Sequence, residues 1–193
     1  MSHAVTLGAI LTGGRSTRMG RDKADVAVTG ETMLERVAQA IGPVVGRTVL
    51  LGPDRSGWEC WPDAFHAQGP LAGIATALAR TTSDRVLLVA VDQPFLRTET
   101  LRSLAATESE LPVVPVDSEG TRQVTCAVYP VSIAEAAADE ASAGGSIQTL
   151  LDRVSFEPVS PNLWQQWGED GRSWFSIDDE KALEAGLARY GTG

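Results

Sequence analysis

Between Arg85 and Val91 the chain reads RVLLVAV, apolar at nearly every position. A strand with one face in water alternates apolar and polar residues. One that does not alternate is covered on both faces, as in a parallel sheet with helices above and below it. A second such run, Val5 to Leu11 (VTLGAIL), is stopped by Thr-Gly-Gly. Thr32 to Ile41 then places Met33, Leu34, Val37, Ala40 and Ile41 at helical spacing, and Gly42-Pro43 ends it. Val44 to Leu51 reads as a strand and Leu71 to Arg80 as a helix. Strand, loop and helix in alternation predict βαβ units, and so an α/β fold of three layers with a mostly parallel central sheet.

The remaining segments extend this pattern. Thr98 to Ala106 is expected to be a helix with Thr98 as its N-cap, and LPVVPV and QVTCAVYP are two strands separated by a turn at Asp117 to Gly120. Ile133 to Ala141 and Ser146 to Leu151 read as helices, and Asp179 to Arg189 as a closing one. After Val159 the chain looks irregular, with three tryptophans between Trp164 and Trp174 that are expected to pack rather than stack on a ligand. Ser160 to Arg172 is the candidate for a mobile loop. No repeat or linker divides the 193 residues, so residues 1–193 are expected to form a single domain.

The formal net charge of −9 repels nucleic acid and anionic membranes, and neither is expected as a partner. The start of the chain lacks the features of a signal peptide and no apolar run approaches a membrane span, which leads to the expectation of a cytoplasmic protein. Cys60, Cys126, His3 and His66 show no metal-ligand spacing. Any bound anion must therefore be met by a local cluster of cations. The dense one is LTGGRSTRMGRDK, Leu11 to Lys23.

That cluster leaves the carboxyl end of the first strand, where α/β sheets bind ligands. Gly13 and Gly14 let a backbone approach a ligand closely and form an anion nest, and Arg15, Arg18 and Lys23 neutralise phosphate charge. The spacing matches neither a Walker loop nor a dinucleotide fingerprint, so a generic phosphate loop is the reading. Asp92, directly after the buried run in VAVDQPFL, is expected at the same sheet edge. A carboxylate facing phosphates there calls for Mg²⁺ between them. Gly69-Pro70 with Gly73 reads either as a helix entry pointing into the crevice or as plain helix packing. Asp178 reads either as a second metal ligand or, with Asp179, as a cap of the last helix.

Leu11 to Lys23 resembles the signature Leu-Ala-Gly-Gly-x-x-x-Arg-Met-Gly-x-Asp-Lys of nucleotidyltransferases. GPLAGI at Gly69 to Ile74, DQPFL at Asp92 to Leu96, the CAVY strand and a final Phe-x-x-Asp turn follow in order. In these motifs the chain is similar to the molybdenum cofactor guanylyltransferase (MobA-like) family of the NTP-transferase superfamily. The resemblance implies a Rossmann-like sheet of the nucleotide-diphospho-sugar transferase type. It also implies transfer of GMP from GTP to molybdenum-molybdopterin, with Mg²⁺ as cofactor and with proteins of molybdopterin synthesis and molybdoenzymes as further partners. Carried onto this chain, it assigns the nucleotide to Leu11, Thr12, Gly13, Gly14, Arg15, Lys23, Asp63, Gly69 and Asp92, catalysis to Arg18, Lys23 and Asp92, and the metal to Asp92 and Asp178.

The chain departs from the family at three points: Gly52 stands where Asn is frequent, Ser176-Ile177-Asp178 replaces Asn-x-Asn, and SIQTLL lacks a basic residue before it. Cytidylyl transfer from CTP is the alternative, because VDQP is shared with that branch; Gly13-Gly14 and GPLAG favour GTP. A non-catalytic nucleotide-binding homologue is opposed by the retention of Arg18, Lys23 and Asp92.

Overall fold

The structure, a computed structural model, describes residues 6–13, 22–65 and 69–191. Strand β1 (Thr6–Leu11) is followed by a small antiparallel pair, β2 (Ala27–Val28) and β3 (Glu31–Thr32), and by helix α1 (Met33–Ile41). β4 (Arg47–Leu51) and the two-residue β5 (Cys60–Trp61) precede α2 (Pro70–Arg80) and β6 (Arg85–Ala90). Then come α3 (Thr98–Ala106), β7 (Val113–Pro115), β8 (Cys126–Pro130), α4 (Ala134–Ser142) and α5 (Ile147–Val154). β9 (Glu157–Val159), α6 (Pro161–Gln166) and α7 (Glu180–Tyr190) complete the order.

Seven strands form one sheet in the order β5-β4-β1-β6-β8-β7-β9. β5, β4, β1 and β6 are parallel, and β8 alone runs against its neighbours β6 and β7. The expected mostly parallel sheet is therefore present, with one reversed strand that apolar patterning cannot reveal.

All of β6 is buried, and the two-residue period sorts its side chains onto two cores. Leu7, Ala9 and Leu11 join Val86, Leu88 and Ala90 on the face covered by α2, α4 and α5. Ile10, Leu87 and Val89 lie on the other face, under α1, α3, α6 and α7. Helix α1 starts with a capping box in which Thr32 Oγ1 accepts from Glu35 N and the Glu35 carboxylate accepts from Thr32 N. Helix α2 lies so close to the sheet that a Cβ on Gly73 would sit 2.5 Å from Leu11 Cδ2. Packing, one of the two readings of Gly73, is thus its role.

Two local expectations are corrected. Thr98 is not the cap of α3: Arg97 holds that position, and Thr98 Oγ1 instead donates to Ala40 O at 3.1 Å, tying α3 to the end of α1. The segment Ser160 to Arg172, expected as a mobile loop, contains α6 and the buried Trp164 and Glu169. The Glu169 carboxylate accepts from Thr100 Oγ1 at 2.6 Å, from Ser173 Oγ, and from the backbone N–H groups of Asp170 and Gly171. That many donors make a buried charge tolerable, and they pin the segment to α3. No described helix is long and apolar enough to cross a membrane.

Replacing Glu169 with Ala leaves the fully buried hydroxyls of Thr100 and Ser173 without their acceptor. Denaturant titration is expected to show a loss of about 2–4 kcal/mol; an unchanged midpoint would remove this anchoring role.

Candidate functional site

β1 and β6 are neighbours in register, Leu11 opposite Ala90, and end at one sheet edge. The chain leaves β1 for β4 and β5 on one side and returns to β6 on the other. This is the topological switch point, at which diverging loops leave a crevice. A cleft of about 220 Å³ opens there, lined by Leu11, Thr12, Gly13, Asp22, Lys23, Pro70, Ala90, Val91, Asp92, Gln93, Thr125 and Ser176.

Just past β1, Thr12 N, Gly13 N and Thr12 Oγ1 all donate to Leu51 O, at 3.0, 3.3 and 3.1 Å. The amide of Gly13 is therefore engaged by β4, so the amides of an anion nest do not include it. Gly14, Arg15 and Arg18 lie outside the described residues.

Lys23 opens a short 3-10 turn (Lys23–Asp25), begun by Asp22, whose carboxylate accepts from Ala24 N at 2.9 Å. Its Nζ donates to Asp178 Oδ1 at 2.6 Å and to Asp92 Oδ2 at 3.3 Å. Burial opposes the ammonium form, but the hydrogen bond to Asp178 and the charges of Asp92 and Asp178 outweigh it, so the Lys23 pKa lies above the ordinary lysine value. Lys23 enters the cleft as a fixed cation.

Asp178 arrives by a local device. Ile177 is fully buried, and its N–H donates to Asp92 O at 2.8 Å, so residues 176–178 lie along the end of β6. The cap of α7 is Asp179, whose carboxylate accepts from Ala182 N at 2.8 Å. Asp178 is left to face Lys23. Asp92 lines the cleft, and Asp178, which does not, meets it through Lys23; together they offer two hard oxygen donor groups on either side of that ammonium. Among the described residues no cluster of three or more His, Cys, Asp or Glu side chains could hold a metal. This donor set fits Mg²⁺, which is commonly held by one or two carboxylates with substrate phosphates and water completing its shell.

Gly69 is the N-cap of α2, and Pro70, its first residue, lines the cleft. Asp63 follows β5 at the same edge but does not line the cleft; it is exposed, and desolvation by nearby protein raises its carboxyl pKa. Sequence reasoning assigned no role to Gln93. This buried side chain accepts from Ala90 N and donates to Thr125 Oγ1, both at 3.3 Å, joining β6 to the start of the reversed strand β8. A polar residue two positions behind the apolar run that ends at Val91 was the available signal.

Gly52 follows Leu51 with φ +142°, and a Cβ there would lie 2.8 Å from Thr12 Oγ1 and 3.0 Å from Gly13 N. The Asn frequent in the family would collide with the start of the glycine loop. Here Thr12 uses that space for its bond to Leu51 O.

A crevice at a switch point, with the Lys23 ammonium and the Asp92 carboxylate at the ends of β1 and β6, is where α/β sheets of this class take up their ligands. Residues 8–158 match the MobA-like NTP transferase domain, and the chain belongs to that family. A molybdenum cofactor guanylyltransferase of Rhizobium meliloti is 36% identical over 189 residues, covering 94% of this chain and 73% of the relative. A probable molybdenum cofactor guanylyltransferase of Deinococcus radiodurans is 36% identical over 101 residues, 51% of this chain and 52% of that protein. The one from Rhizobium rhizogenes is 34% identical over 65% of this chain and 64% of its own length. The chain thus spans about half to two-thirds of the length of these last two relatives. Among solved structures, the molybdopterin-guanine dinucleotide biosynthesis protein A of Archaeoglobus fulgidus superposes with a TM-score of 0.82 at 22% identity, covering 97% of this chain and 100% of that one. The 2-C-methyl-D-erythritol 4-phosphate cytidylyltransferase of Thermus thermophilus gives 0.67 at 16% identity, over 98% and 100%. Both share the fold.

Substituting Gly52 with Ala strains the backbone and presses on Thr12 and Gly13. A loss of about 1–3 kcal/mol in unfolding free energy is expected from chemical denaturation, whereas wild-type stability would mean that the turn relaxes freely.

Proposed function

We propose that this chain transfers the GMP group of GTP to the phosphate of molybdenum-bearing molybdopterin, giving the guanine dinucleotide cofactor and pyrophosphate. The observation that carries this reading is the Lys23 ammonium held by Asp92 and Asp178 in the cleft at the ends of β1 and β6. The names of the R. meliloti and A. fulgidus proteins support guanylyl transfer in particular.

An oxygen of the pterin phosphate attacks the α-phosphorus of GTP, the bond from that phosphorus to the bridging β-oxygen breaks, and pyrophosphate leaves. No protein nucleophile is needed, so the protein contributes positioning and electrostatics. Lys23, supported by Arg18 and Arg15 of the same loop, stabilises negative charge that spreads over the phosphates at the transition state. This reading assigns Leu11, Thr12, Gly13 and Gly14 to the nucleotide, and Asp63 and Gly69, both outside the cleft lining, to its guanine end. Asp92 and Asp178 would hold Mg²⁺, which when bound supplies neutralising charge to the triphosphate. Proteins that make molybdopterin and molybdoenzymes that take up the product are the partners this reaction requires, and the reading assigns the chemistry to the cytoplasm.

Titration calorimetry with GTP, CTP and ATP, with and without Mg²⁺, tests the base and the metal together. GTP is expected to bind best, and more tightly with Mg²⁺; preference for CTP would move the chain to cytidylyl transfer. Asp92→Ala is expected to lower turnover by about 100-fold or more and to abolish the Mg²⁺ effect, with an unchanged circular dichroism melting curve. Full activity of that variant would overturn the assignment of Asp92.

A further inference from the structure

Arg55 belongs to none of the motifs discussed above. It stands in the loop between β4 and β5, and its side chain reaches across to the turn that carries Lys23. Nη2 donates to Asp22 and Nη1 to Asp25, both at 2.5 Å. Those carboxylates lie one residue before Lys23 and two residues after it, so a single planar fork grips the turn on both sides of the lysine. Asp22 divides its oxygens between two tasks: Oδ1 accepts from Ala24 N to start the turn, and Oδ2 accepts from Arg55.

The base of the fork is also fixed. Arg55 N donates to Cys60 Sγ at 3.2 Å, and Trp58 N donates to Arg55 O at 3.2 Å. The Arg55 side chain is 22% exposed, more withdrawn from water than either carboxylate it holds. A guanidinium with two charge-assisted partners in this setting constrains geometry in a way that a solvated surface pair does not.

We propose that Arg55 is a positioning residue for Lys23: its fork locks the turn Lys23–Asp25 against the loop after β4, and so keeps the Lys23 ammonium between Asp92 and Asp178. The consequence for nucleotide binding rests on the function proposed above; the geometric consequence does not. Lysine cannot replace this residue, because a compact ammonium on one stem lacks the spread fork that spans two separate carboxylates.

The chain contains two lysines, Lys23 and Lys181. Lys181 is exposed on α7 and serves as an internal reference. Brief acetylation of the ligand-free protein with acetic anhydride, read by mass spectrometry of the two lysine peptides, reports how firmly Lys23 is held. Lys23 is expected to label more slowly than Lys181 in the wild type, and the ratio is expected to rise about fivefold in Arg55→Gln with an unchanged melting temperature. Arg55→Lys is expected to behave like Arg55→Gln, whereas rescue by lysine would overturn the fork and leave only a charge effect.

For GTP, the dissociation constant is expected to rise about tenfold in Arg55→Gln, and the same change made on top of Lys23→Met is expected to add nothing. Equal losses in both backgrounds, or an unchanged labelling ratio in folded Arg55→Gln, overturn the proposal. If Arg55→Gln fails to fold, Asp25→Asn releases one prong while leaving the Asp22 cap, and the same labelling ratio decides. If the wild type binds no nucleotide, the functional reading fails while the labelling ratio still decides the role of Arg55.

Discussion

Strands β1 and β6 lie side by side in register over their whole length, and neither gives a face to water. Everything else is arranged around that pair. Because each alternates its side chains between two apolar cores, helices must cover both faces, and each strand must finish at an edge where backbone and charge can meet solvent. The pair also separates the half of the chain that moves out to β4 and β5 from the half that moves out to β8, β7 and β9. The cleft is the gap left where those two halves part.

Into that gap the chain brings charge from distant parts of the sequence. Lys23 follows the glycine loop, Asp92 ends β6, and Asp178 comes from the segment before α7. Each is held by something other than the ion pairs themselves: Asp22 caps the turn of Lys23, and the Ile177 N–H bond to Asp92 O joins the two acidic positions through backbone. Such supports keep a charged site open for a ligand, because its geometry does not depend on the charges finding one another.

Much of this was legible in the sequence, for identifiable reasons. The unbroken apolar run at β6 announced a sheet covered on both sides, and the position of Asp92 directly behind it announced the functional edge. Strand direction was not legible: β8 is as apolar as β6, and antiparallel pairing leaves no mark in a fully buried run. β2, β3 and β5, at two residues each, are too short for any period to register. Asp178 and Asp179 are chemically equal candidates for a cap, and only the burial of Ile177 between strand end and helix decides which of them turns to Lys23. Glu169 looked like one more acid in an irregular stretch, since the five donors around it come from α3 and from its own following turn.

The backbone bond from Ile177 to Asp92 has a consequence for the order in which the molecule can be completed. The family match stops at residue 158, by which point every strand of the sheet but the last residue of β9 has been supplied. A chain leaving the ribosome can therefore bury most of its sheet while Lys23 has Asp92 alone for company. The second carboxylate comes from a segment beyond that boundary, which the Ile177 N–H bond holds onto the end of β6. Completion of the cleft is in this sense a report that the last part of the chain has folded.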